Sequence, residues 1–94
     1  MHMRTVSFVI DPAMIEQFRG EADGARAKFA QIEGLQHQYT GVATDGNCIS
    51  VTIWESAEAA EKGYASAMAI LQGLSRYLKG EPRLADYPVC EILK

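Results

Sequence analysis

The sequence predicts a two-layer α+β domain. Three observations carry that prediction: an Asp45-Gly46 pair between two alternating segments, an amphipathic helical stripe on each side of that hairpin, and β-branched runs at both ends of the chain. The 94 residues are 48% apolar and show no shift of composition or low-complexity run, which implies one globular domain over residues 1–94. A chain of this size buries only roughly 60 to 65% of its unfolded surface. Its own core is therefore modest, and an oligomer interface would extend it.

Arg4-Thr-Val-Ser-Phe-Val-Ile10 is rich in β-branched and aromatic residues and reads as the first strand. Asp11-Pro12 follows as an N-cap with proline at the first helical position, where a missing N–H does no harm. Ile15, Phe18, Ala22, Ala25, Phe29 and Ile32 then recur at steps of three and four, the stripe of an amphipathic helix, and Gly34 supplies its left-handed stop. Residues 35–44 and 47–54 form the hairpin. With Asp45 and Gly46 as a two-residue type I′ loop, His37 stands opposite Trp54, Tyr39 opposite Thr52 and Gly41 opposite Ser50, all on one sheet face. Ile49, Val51 and Ile53 take the other face, opposite Val42, Thr40 and Gln38.

Ser56 caps the second helical region, with Glu58 in its first turn. Ala60, Tyr64, Ala67, Leu71, Leu74 and Leu78 form its stripe, Gly63 and Gly73 are points where it can kink or split, and Lys79-Gly80-Glu81-Pro82 ends it. Tyr87-Pro-Val-Cys-Glu-Ile-Leu93 reads as the last strand. The order β-α-β-β-α-β is the ferredoxin-like unit, two helices over one face of a four-stranded antiparallel sheet. The second face is too apolar for water, and pairing of two sheets in a symmetric homodimer is the economical cover.

A net charge of −3 with scattered Lys and Arg gives no field for nucleic acid, and no apolar run is long enough for a membrane span. The N-terminus has no signal-like segment, so a soluble, cytoplasmic protein is expected. Cys48 and Cys90 are too few for a disulfide framework, and the histidines and cysteines lack metal-ligand spacing. Met1-His2-Met3 looks like an initiator region, and His2 is given no chemical role.

Glu33-Gly34-Leu35, the hairpin with Asp45-Gly46, and above all Ile53-Trp54-Glu55-Ser56 before an alanine-rich helix resemble the antibiotic biosynthesis monooxygenase-like domains of the dimeric α+β barrel superfamily. The resemblance covers essentially the whole chain. It implies a dimeric α+β barrel and, among several activities of that superfamily, cofactor-independent oxygenation of a small aromatic or polyketide-like compound, with Trp54 lining the cavity. The chain departs from the pattern where those enzymes carry an asparagine and a tyrosine, here Ser50 and Ala60. The tryptophan and histidine of the haem-degrading relatives are also missing, near Gly63 and Gly73.

Such chemistry needs an ionisable phenol, a base and a dry aromatic pocket. The sequence nominates His37 as base, Tyr39 and Trp54 as orienting aromatics, and Ser50, Thr52 and Tyr64 as further pocket residues, with no cofactor and no metal. The other reading is a small-molecule-binding barrel without catalysis.

Overall fold

The computed structural model describes residues 1–90. Its order is β1 (His2–Val9), a 3-10 turn (Pro12–Met14), α1 (Ile15–Gly24), α2 (Arg26–Ala30), β2 (Leu35–Val42), β3 (Asn47–Trp54), α3 (Ala57–Gln72), a second 3-10 turn (Ser75–Tyr77) and β4 (Arg83–Pro88). The strands form one antiparallel sheet in the order β2-β3-β1-β4. This is the ferredoxin-like topology expected from the element order, with the helices on one face.

Local chemistry explains the boundaries. The Asp11 carboxylate accepts the Ala13 N–H, with Pro12 opening the turn. Ser56 accepts the Ala59 N–H at the start of α3. The first helical stripe is present, but the helix is interrupted at Ala25, so α1 and α2 are separate segments. Gly73 ends α3, where the sequence allowed a split, and the chain turns through Ser75–Tyr77 back to β1. The last strand begins at Arg83 rather than Tyr87, and Pro88, which lacks an N–H for further pairing, is its final residue. The part of the predicted strand at 91–94 lies outside the described residues, and Cys90 stands beyond β4.

The hairpin differs from its prediction in a way that matters. Gly46 N–H donates to the Ala43 carbonyl and Ala43 N–H to the Asn47 carbonyl, at 3.0 and 2.8 Å, so the loop holds three residues, Thr44, Asp45 and Gly46. Gly46 alone has positive φ, +92°. This is the three-residue loop with glycine in the left-handed position, not a type I′ turn, which would also need positive φ at Asp45. Gly46 is required twice, because a Cβ there would lie 2.1 Å from the Ile10 carbonyl oxygen. One extra loop residue shifts the register by one and exchanges the faces of β2.

Two groups of side chains fill the space between sheet and helices. Val6, Phe8, Ile10, Phe18, Cys48, Leu74 and Tyr77 form the first, with Phe18 packed 5.7 Å from Phe8 and edge-on to Tyr77 at 5.8 Å. Ala25, Phe29, Trp54, Ala60 and Ala67 form the second, flanked by Ile32, Leu35 and Ile70. Burial drives the Cys48 thiol pKa upward, and the nearby Asp45 carboxylate adds to the shift. In that environment Cys48 packs as a small hydrophobe. Among the described residues no helix is long and apolar enough to cross a membrane.

Candidate functional site

The β2 register distributes the nominated residues over both faces of the sheet. Gln38 pairs with Thr52, Thr40 with Ser50 and Val42 with Cys48, whereas His37 pairs with Ile53, Tyr39 with Val51 and Gly41 with Ile49. A bulge between Leu35 and His37 keeps Leu35 opposite Trp54. The helix-facing side of the hairpin therefore carries Gln38, Thr40, Ser50, Thr52 and Trp54. His37 and Tyr39 project from the open face, their rings stacked at 6.0 Å and 15°. The expected convergence of His37, Tyr39, Ser50, Thr52 and Trp54 on one face is thus corrected: the loop length puts the first two on the opposite side.

Trp54 is fully enclosed, 0% exposed, and its indole N–H donates to Thr52 Oγ1 at 2.8 Å. Thr52 Oγ1 also donates to the Arg4 carbonyl at 3.3 Å. Gly63 admits the indole, because a Cβ there would meet Trp54 Cζ3 at 2.4 Å. Trp54 and Thr52 form an internal buttress between β3 and α3. Tyr64 lies elsewhere, on the exposed side of α3, with the Arg4 guanidinium 5.0 Å from its ring centroid.

Arg4 anchors a polar cluster that sequence reading did not find. Its Nε donates to Asp86 Oδ1 at 2.7 Å, and its terminal nitrogens reach the Ala60 carbonyl at 3.3 Å and Glu61 at 3.4 Å. His2 Nε2 contacts the same Asp86 oxygen at 2.9 Å, so His2 has a structural partner after all. The hydrogen bond from His2, and then those and the charge of Arg4, hold the Asp86 carboxyl below the usual aspartate range. A buried guanidinium needs such partners. The cluster ties β1 to β4 and to the first turns of α3. The only signal in the sequence was an arginine in phase with Val6 and Phe8 on a buried strand face.

A cleft of about 820 Å³ opens between α1–α2 and the edge strand β2. Half-buried Ala22, Leu35 and Val42 supply apolar surface over the buried rings of Phe18 and Phe29, while Gln38 and Thr40 provide polar groups and Arg19, Asp23 and Arg26 border it. His37 and Tyr39 also border it, along the β2 edge. Gln38 Nε2 donates to Thr40 Oγ1 and Ser50 Oγ, both at 2.8 Å, linking the cleft to buried Ser50 behind it. Apolar walls with a few fixed polar groups are the usual make-up of a small-molecule site. A second cleft, about 670 Å³, lies between α2 and the start of α3 and is bordered by Lys28, Glu33, Glu55, Glu58 and Lys62. Glu58 and Lys62 pair with each other at 3.1 Å. Among the described residues no three His, Cys, Asp or Glu side chains are grouped to hold a metal ion.

No protein-family model matches the chain, and no curated protein matches it. Solved structures do. A monooxygenase of Streptomyces coelicolor in complex with nanaomycin D superposes with a TM-score of 0.78 at 22% identity, covering 99% of this chain and 91% of that one. SnoaB, a cofactor-independent oxygenase from Streptomyces nogalater, superposes in a mutant form with a TM-score of 0.75 at 14% identity, covering 98% and 95%. A further antibiotic biosynthesis monooxygenase gives 0.76 at 12% identity over 97% of this chain and all (100%) of that one. The chain has the fold of the antibiotic biosynthesis monooxygenase-like domains, the family that its sequence resembles.

Proposed function

We propose that the protein is a cofactor-independent monooxygenase-like enzyme acting on a small aromatic or polyketide-like compound in the cleft beside β2. The observation that carries this reading is the cleft's make-up: half-buried Ala22, Leu35 and Val42 supply apolar surface for a planar ring, and Gln38 and Thr40 supply polar groups for its oxygen. The fold shared with the two Streptomyces oxygenases supports it. In the reaction a phenol plus O2 gives a quinone plus water: one oxygen atom enters the ring, the other leaves as water, and the substrate supplies all four electrons. His37 and Tyr39, stacked on each other, project from the open face, so in this reading they border the cleft only along the β2 edge and belong to the sheet surface rather than to the cleft floor. Trp54, Thr52 and Ser50 act from behind by fixing β3 and the Gln38 amide.

Oxygen uptake with a panel of anthrones and hydroquinones tests this. Enzyme-dependent uptake matched by quinone formation is expected. No uptake across the panel would overturn the catalytic reading. One observation favours binding without catalysis: Trp54 is sealed in the core with its N–H already satisfied. Saturable binding of the same compounds without turnover would select that alternative.

The functional unit we propose is a homodimer joined through the open sheet face. That face presents Val9, Ile49, Tyr39 and Tyr87 to solvent, with Val51 and Ile53 half-buried among them. A second copy matches such a flat apolar surface to itself. Two free cysteines, one of them exposed, fit a reducing cytoplasm.

A further inference from the structure

On the cleft wall, half-buried Gln38 and exposed Thr40 keep hydrogen-bonding capacity that faces solvent. Gln38 Nε2 lies 2.8 Å from Thr40 Oγ1, 2.8 Å from Ser50 Oγ and 3.4 Å from the Tyr39 carbonyl oxygen. A carbonyl oxygen only accepts, so the amide end facing these three oxygens is the NH2 group. With both amide hydrogens committed there, Gln38 Oε1 is left as an acceptor, and nothing among the described residues donates to it. The Thr40 and Ser50 hydroxyl oxygens are 3.5 Å apart, and their hydrogens rotate to suit. One hydrogen serves that contact. Ser50 is 3% exposed, whereas Thr40 borders the cleft, so turning the Ser50 hydrogen toward Thr40 satisfies the buried group and leaves the Thr40 hydrogen for the cleft.

We propose that Gln38 is a specificity-determining residue that reads the redox state of the ligand. Gln38 Oε1 and the Thr40 hydroxyl stand two residues apart on one face of β2, and together they fit a ligand oxygen that both donates and accepts. A phenolic hydroxyl does both. A quinone carbonyl or an aryl ether only accepts: it satisfies Thr40 but sets its lone pairs against those of Gln38 Oε1. The hydrogen that Gln38 reads is the one a phenol loses on becoming a quinone, so the cleft retains the reduced compound and releases the oxidised one. This rests on the reading of the cleft as the substrate site.

Calorimetric titration of the full chain with 1-naphthol and with 1-methoxynaphthalene tests it, since the second probe keeps the rings and the acceptor but has no donor. Wild type should bind 1-naphthol about five- to tenfold more tightly, the factor one neutral hydrogen bond supplies. Gln38→Leu should reduce that preference to less than about twofold, weakening 1-naphthol by loss of the acceptor and strengthening the ether by loss of the lone-pair clash. Thr40→Val should weaken both probes by the same factor and keep the preference. If Gln38→Leu does not fold by circular dichroism, Gln38→Met is read by the same criterion. Equal wild-type affinities, or a preference that survives loss of the amide, overturn the specificity role and leave the cleft as a binding site. If neither probe binds, the cleft reading falls and the specificity role falls with it.

Discussion

Gly63 and Trp54 fit together so closely that a single added methyl has no room: the Cβ of an alanine at 63 would lie 2.4 Å from Cζ3 and 2.5 Å from Cη2 of the indole. The ring is enclosed on all sides and cannot retreat without leaving Thr52. Gly63→Ala should destabilise the protein by about 1 to 3 kcal/mol despite the better helix propensity of alanine. For a domain of this size that is a fall in Tm of several degrees, measured by thermal circular dichroism. Gly20→Ala is the control: a Cβ there meets nothing within 4 Å, so that variant should be unchanged or up to about 1 kcal/mol more stable.

Thr52→Val tests the other side of the same buttress. The substitution preserves shape but leaves the buried Trp54 N–H without its acceptor, at a cost of about 1 to 3 kcal/mol. Chemical denaturation should report the loss, with the m-value unchanged. A neutral result would mean that another acceptor reaches the indole.

The open face gives a prediction about assembly. Ile49 is 44% exposed, and Gly41 opposite it adds no side chain to cover it. Ile49→Lys places a charge in the middle of the proposed interface without touching the core. Light scattering should find a dimer for wild type and a monomer for the variant at micromolar concentration. A monomeric, cooperatively folded wild type would overturn the homodimer.

Asp86 gives a prediction about pH. Its folded-state pKa is depressed, so its stabilising contribution is fully present above the ordinary aspartate value, about 3.9, and is lost as pH falls through the lower folded value. Asp86→Asn should therefore lower stability near pH 7, where Arg4 loses its closest partner, and flatten the decline of stability below about pH 4. Equilibrium unfolding at a series of pH values checks both effects. Parallel curves for variant and wild type would exclude Asp86 as a contributor.

The sequence by itself determined the element order, because periodicity, caps and turn residues are local: Ser56 caps α3 and Asp11–Pro12 opens the first helical region as read, while the first stripe is split at Ala25 and the second ends early at Gln72. It also identified Trp54 as a residue of consequence. What it left open was decided by contacts distant in sequence. Asp-Gly fits either a two-residue or a three-residue loop, and the choice followed the docking of Gly46 against the Ile10 carbonyl, its amide environment set by a strand more than thirty positions away. That choice put His37 and Tyr39 on the open face and brought Gln38 and Thr40 to the cleft. Arg4 likewise has no local signature, since its partners Asp86, Ala60 and Glu61 meet only when β1 lies between β3 and β4 beneath α3. Side-chain facing in a strand has a period of two, so one residue of loop, fixed by tertiary packing, separates the site the sequence suggests from the one the fold builds.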